Sequence, residues 1–142
     1  MHERVRELEA ALAEEALQLL LGRAEARLGY ALTGQHTAAV VWSDDPAGDL
    51  ARLDTLVTQL GRAAGTRPLS VLASAATRWV WIPGPGRIDI AALQDWLSAP
   101  GDVHIAIGPT ADGVDGFRRS HLDALTTQQM MARLRSPQPV AR

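Results

Sequence analysis

The chain of 142 residues contains no cysteine, and its 14 basic residues are all arginines. Without cysteine it forms neither a disulfide framework nor a thiolate metal site. Without lysine it lacks the Gly-Lys-Ser/Thr sequence of a Walker-type phosphate loop. An excess of positive charge is also missing, since the formal net charge is −2. The composition therefore offers no overall basic field to attract nucleic acid or an anionic membrane.

Long apolar runs are absent as well, because no stretch reaches the roughly 18 apolar residues that a membrane-spanning helix needs. The first residues, Met1-His2-Glu3-Arg4, are too charged for a secretory signal peptide. We therefore expect a cytoplasmic protein with no membrane partner. The length and the apolar fraction of 46% are those of one globular domain with a substantial core.

Helix-forming residues dominate the N-terminal part of the sequence and predict a helix over residues 3–28. The pattern favours a helix that packs on its own domain, and a helix that pairs with another subunit is the alternative. Apolar residues recur along this helix at coiled-coil spacing, interrupted by Glu15, at Val5, Leu8, Leu12 and Leu19.

Beyond this helix the apolar patterns predict the order strand–helix–strand–strand–helix–strand–helix. The ferredoxin-like split βαβ plan satisfies this order with short right-handed crossovers and a central antiparallel hairpin. The strands are predicted at 36–42, 69–73, 78–82 and 103–107, and the helices begin at Asp45-Pro46, Asp89 and Asp115.

We therefore predict an α+β fold with a ferredoxin-like βαββαβ antiparallel sheet, flanking helices and an additional N-terminal helix. Residues 1–28 form the N-terminal helical segment, and residues 29–135 form the domain. Residues 136–142 contain two prolines and predict a linker or a disordered tail.

Two adjacent carboxylates, Asp44 and Asp45, follow the first predicted strand. Ferredoxin-like nucleotide cyclases hold divalent metal ions at such a strand end, since hard cations prefer carboxylate oxygens. Pro46 favours the alternative, in which Asp45 caps a helix and Asp44 lies in a solvated turn. No two histidines stand at metal-ligand spacing on a helix. We therefore expect no metal ion and no cofactor.

The loop over residues 108–116 precedes a predicted helix, whose first backbone amides are able to bind an anion. Asp112 and Asp115 would repel a phosphate there, which favours an ordinary turn into a capped helix. Arg118 and Arg119 are candidate anion ligands at the start of that helix, although the interpretation as solvated surface arginines is favoured.

Two of the four tryptophans, Trp79 and Trp81, share one face of a predicted strand, because side chains alternate along a strand. They are candidates to line a pocket for a planar ligand. Tryptophans on a central strand are more often core residues, which is the favoured interpretation.

Several segments together resemble a known family. A strand at 36–42 follows two short helical motifs, and the most specific segment is a strand–loop–helix. These segments are Leu19-Leu20-Leu21-Gly22-Arg23, Ala26-Arg27-Leu28-Gly29-Tyr30, Ile105-Ala106-Ile107-Gly108 and Gly116-Phe117-Arg118-Arg119-Ser120-His121-x-x-Ala124. From about Leu19 to Leu134 the chain resembles the GGDEF-like middle domain of PucR/CdaR-type transcriptional regulators.

The resemblance implies a regulatory domain between an upstream sensory region and a downstream helix-turn-helix. This sequence includes neither, so we expect no direct nucleic-acid binding by this chain alone. Active cyclases of the wider family carry a Gly-Gly-Asp/Glu-Glu-Phe hairpin tip. The corresponding tip here is Ser74-Ala75-Ala76-Thr77, which has no glycine and no acid, so we expect no enzymatic activity.

The resemblance thus predicts a non-catalytic regulatory and self-association domain that forms a homodimer. One alternative is a sensor of a small-molecule effector such as a purine, a nucleotide or a diacid, bound in a cleft lined by tryptophan and arginine. A residual nucleotide-processing enzyme is the other. The candidate ligand or interaction residues are Arg118, Arg119, Ser120, His121, Trp79 and Trp81.

Overall fold

The computed structural model describes residues 2–45, 50–97, 103–134 and 140–141, which form four helices and six strands. The chain divides into two compact units, Met1–Leu32 and Thr33–Arg142. In chain order the elements are α1 His2–Leu28, β1 Gln35–Ser43, α2 Leu50–Ala64, β2 Leu69–Ser74, β3 Thr77–Pro83, α3 Ile90–Leu97, β4 Val103–Ile107, β5 Ala111–Asp112, α4 Gly113–Leu134 and β6 Val140–Ala141.

The first unit is built on α1, a continuous helix of 27 residues that confirms the predicted N-terminal helix. It ends at Leu28, and the next residue, Gly29, has a φ of 60° and donates its N–H to the Glu25 carbonyl oxygen at 2.9 Å. Glycine adopts this left-handed conformation at little cost, so it is a favourable helix stop. Among the described residues, no helix is both long and apolar enough to cross a membrane.

The second unit contains a sheet with the strand order β2-β3-β1-β4-β6, in which the pairs β2–β3, β3–β1 and β1–β4 are antiparallel and the pair β4–β6 is parallel. The short strand β5 pairs with the start of β1, antiparallel and beyond the end of β4. The hairpin strands β2 and β3 lie on one side of β1, and β4 lies on the other. This is the ferredoxin-like arrangement, so the predicted α+β fold is confirmed.

One face of the sheet packs against α2 and α3 in an entirely apolar core. Alternate residues of the central strands, such as Ala39 and Val41, point to this face because side chains alternate along a strand. Leu53, Leu56 and Leu60 of α2 are completely buried there. Burial of one such leucine stabilises the fold by about 2 kcal/mol.

The helix cap predicted at Asp89 is confirmed, since its side-chain oxygen accepts the Ala92 N–H at 3.1 Å. The helix start predicted at Pro46 and the helix end predicted at Pro100-Gly101 lie outside the described residues.

The C-terminal segment departs from the prediction for residues 136–142. Val140 and Ala141 form β6 and pair in parallel with Ile105 and Ala106 of β4, so a linker or disordered tail is wrong for these two residues. The physical reason is that Val140 is buried in the apolar core, while pairing satisfies backbone groups at the edge of the sheet.

Candidate functional site

The second face of the sheet is covered by α4, and we call the contact between them the α4 seam. Two glycines allow the close approach. A Cβ atom at Gly108 would overlap the Ser120 carbonyl oxygen, and one at Gly116 would overlap the backbone of Ala111. Glycine is therefore a steric requirement at both positions, and this explains the glycines after β4 and in the first turn of α4.

Ser120 provides the central hydrogen bond of the α4 seam. Its Oγ accepts the backbone N–H of Ala38 at 2.7 Å, and both residues are fully buried. Ala38 lies between the part of β1 that pairs with β4 and the part that pairs with β5. The Ala38 carbonyl accepts the Gly108 N–H at 2.8 Å, which leaves the Ala38 N–H to the serine. Without the Ser120 hydroxyl, the buried Ala38 N–H would lose its hydrogen-bond acceptor.

Phe117 provides the aromatic contacts of the seam. Its ring stacks on Trp81 at a centroid distance of 4.3 Å and 5° between planes, and it meets His36 edge-on at 5.4 Å. The indole N–H of Trp81 donates to the Phe117 carbonyl oxygen at 3.0 Å. These contacts bury Trp81 to 5% exposure, so its ring packs against α4 rather than lining an open cleft.

His121 lies one position beyond Ser120 and packs against both tryptophans of β3. Its ring centroid is 4.4 Å from that of Trp79 and 5.0 Å from that of Trp81. The Nε2 atom is buried and has no hydrogen-bond partner within the described part of the chain. Burial lowers the pKa of His121, because the apolar surroundings disfavour the charged imidazolium.

The end of β1 is a second polar region, at the strand end where the sequence predicts a helix cap in preference to a metal site. Here the Asp44 carboxylate contacts His104 of β4, with Oδ2 2.6 Å from Nε2. The His104 ring in turn stacks on Trp42 at 5.3 Å. The exposed Asp45 donates its backbone N–H to the Ser43 Oγ at 3.2 Å.

The tip of the β2–β3 hairpin lies beside this strand end. The Ser43 N–H donates to the Ala76 carbonyl oxygen at 2.9 Å, and the Ser74 Oγ accepts the Ala76 N–H at 3.2 Å. The first charged residue of β3, Arg78, pairs with Asp54 of α2 at 2.6 Å. Among the described residues, no three His, Cys, Asp or Glu side chains are arranged to hold a metal ion.

The sequence was compared with models of known protein families. The profile of the GGDEF-like domain matches residues 13–130, which is most of the sequence and includes both the β2–β3 hairpin and the α4 seam. The chain belongs to the GGDEF-like domain family. No curated protein matches it.

In this GGDEF-like domain the six candidate residues separate into two groups. Trp79, Trp81, Ser120 and His121 meet in the α4 seam. Arg118 and Arg119 are exposed on α4 and do not join them. A cleft lined by both tryptophan and arginine, as the sensor alternative requires, is therefore not formed by these side chains.

Two seam residues, Phe117 and His36, were not among the candidates. Phe117 stands inside the recognised motif, so a signal for it was available in the sequence. His36 begins a strand far from α4 in sequence, and no local pattern connects the two.

Proposed function

We propose that this GGDEF-like domain is a non-catalytic regulatory and self-association domain of a PucR/CdaR-type transcriptional regulator. The observation that carries the proposal is the composition of the hairpin tip. Ser74, Ala75, Ala76 and Thr77 supply neither the glycines that admit a nucleotide nor the acids that hold a metal ion. Asp44 and Asp45 follow the strand end beside this tip, where the Ser43 N–H donates to the Ala76 carbonyl oxygen.

Phosphoryl transfer in cyclases depends on metal ions that stabilise the attacking and leaving oxygens. Asp44 already contacts His104, and a second, neighbouring acid from the hairpin is lacking. Mg²⁺ sites of phosphoryl-transfer enzymes combine one or two carboxylates with the substrate phosphates, and Asp44 would have to leave its contact with His104 to serve as such a ligand. This donor set supports a domain that has kept the cyclase fold without its chemistry.

Incubation of the full chain with GTP or ATP and Mg²⁺ or Mn²⁺ tests the absence of catalysis. We expect no cyclic or linear dinucleotide product above a protein-free control, while an active cyclase run in parallel makes product. A product that forms with the unmodified chain and disappears with Asp44→Ala would overturn the proposal.

Self-association is supported by a stripe of apolar side chains on α1 that is exposed to solvent. Val5, Leu8, Leu12 and Leu19 are between 50% and 66% exposed. Exposed apolar side chains at coiled-coil spacing are typical of a helix that pairs with another helix. In a regulator, such a helix would also transmit a displacement from an upstream sensor into the sheet domain.

Sedimentation equilibrium of the full chain measures the self-association. We expect a dimer that Leu12→Glu weakens, because the substitution places a charge in the apolar stripe. Ala10→Glu is the matched control, since Ala10 is exposed and lies on the opposite side of α1. A strict monomer at high protein concentration would contradict this part of the proposal.

The small-molecule sensor is the second candidate, and one observation favours it. The buried Nε2 of His121 has no partner in the described chain, and it lies beside the half-buried ring of Trp79. Thermal-shift measurements with purines, nucleotides and small diacids test this function. A flat response that is the same for His121→Phe would count against it.

A further inference from the structure

The exposed stripe of α1 indicates how two copies of the chain would pair, and this inference rests on the proposed self-association. We propose that two copies of this chain pair through residues 4–19 of α1 as a parallel, in-register, two-stranded coiled coil. The interaction surface consists of Val5, Leu8, Leu12 and Leu19, together with the flanking charges Arg4 and Glu9.

The spacing of the stripe assigns its heptad positions. Val5, Leu12 and Leu19 occupy successive a positions, and Leu8 and Glu15 occupy the d positions between them. The next d and a positions are Gly22 and Ala26, which provide little or no side chain for a core. The apolar contact therefore ends near Leu19, and the coiled coil is short.

The pairing of layers favours the parallel orientation. In register, each of the stripe residues meets the same residue of the second copy, which makes every stripe layer apolar, and only the Glu15 layer is polar. An antiparallel pairing in the centred register sets Leu12 against Glu15 and Val5 against Gly22. It thereby interrupts more apolar layers than the parallel arrangement does.

The charges that flank the stripe are compatible with the parallel orientation. Arg4 occupies a g position and Glu9 the following e position. In a parallel pair a g residue faces the next e residue of the other helix, so Arg4 of each copy meets Glu9 of the other. The centred antiparallel pairing would instead bring Arg4 towards Glu25, whose Oε1 already accepts the Leu32 N–H at 3.0 Å.

The absence of cysteine allows a direct test, because a single introduced thiol reports one contact. We expect the full chain carrying Val5→Cys to form a disulfide-linked dimer under mild oxidation. Ala10→Cys, on the opposite side of α1, is the matched control and should not cross-link efficiently. An uncrosslinked Val5→Cys chain, or cross-linking only when Val5→Cys is mixed with Gly22→Cys, would overturn the parallel pairing.

A charge exchange provides an independent test. Arg4→Glu and Glu9→Arg should each weaken dimerisation by roughly three- to tenfold, because each opposes like charges twice in the symmetric pair. The double variant should restore the affinity. Circular dichroism of each variant excludes a loss of helix as the cause. A double variant as weak as the single ones would overturn the assignment of these contacts.

Sedimentation of the unmodified chain separates the two ways of failing. A monomer at every concentration overturns self-association, and the coiled coil with it. A dimer in which Val5→Cys does not cross-link overturns only the parallel geometry, and the proposed regulatory function stands.

Discussion

The α4 seam and the hairpin end of the sheet differ in how their polar groups are used. In the seam, Ser120 completes the hydrogen bonding of β1 and Phe117 covers Trp81. At the hairpin end, Asp44 makes an exposed pair with His104 beside a tip that has no acid. The strand–loop–helix segment is thus packed through buried contacts, whereas the polar groups of the hairpin end lie at the surface.

The largest expected effect comes from overfilling the seam. Gly108→Ala would force a Cβ into the Ser120 backbone, so we expect a loss of about 3 kcal/mol in the free energy of unfolding. Urea denaturation measures it. Gly34→Ala is the control, because a Cβ there meets nothing within 4 Å. Equal stabilities of the two variants would mean that α4 does not pack this closely.

The next prediction makes the same serine-to-alanine change in the α4 seam and at the hairpin tip and compares the losses of stability. Ser120→Ala removes the acceptor of the buried Ala38 N–H and should lower the free energy of unfolding by about 1–3 kcal/mol. Ser74→Ala removes an exposed hydrogen bond at the hairpin tip and should cost well under about 1 kcal/mol. Similar losses from the two substitutions would remove the distinction between seam and tip.

The pH dependence of stability sharpens the description of His121. Because burial lowers the pKa of its folded state below the ordinary 6.5, the unfolded chain binds the proton more readily. The free energy of unfolding is therefore unaffected by His121 above about pH 6.5 and decreases as the pH falls below that value. Denaturation at pH 7.5 and 5.5 measures it, and His121→Phe should reduce the difference. An unchanged difference would assign the pH dependence to other groups.

The smallest effect is expected at the strand end. Asp44→Asn removes the charge that faces His104, and the free energy of unfolding should fall by about 0.5 kcal/mol, because the pair is largely exposed on its carboxylate side. High salt should diminish the effect further. A loss as large as that of Ser120→Ala would show that the hairpin end is as important for stability as the seam.

Much of the sheet followed from local patterns. Period-two alternation placed Trp79 and Trp81 on the same face, and Asp89 was recognisable as a helix cap. The two-residue strand β6 was missed, because so short a strand has no periodicity, and its position depends on the free edge of β4.

The candidate site was only partly predictable for a related reason. The sequence motif contained Ser120 and His121, but it could not separate them from Arg118 and Arg119. That separation depends on which side of α4 faces the sheet. It also depends on contacts over long distances in sequence, such as the 82 residues between Ala38 and Ser120.

The amino-acid sequence by itself determined the α+β class, the acid-free hairpin tip and the spacing of the α1 stripe. These are local properties of composition and periodicity. Only the tertiary structure decided that the family motif is a packing seam, and that Asp44 lies against a histidine 60 residues away. Such pairs form because the sheet aligns distant strands and α4 crosses them. No local sequence pattern predicts either arrangement.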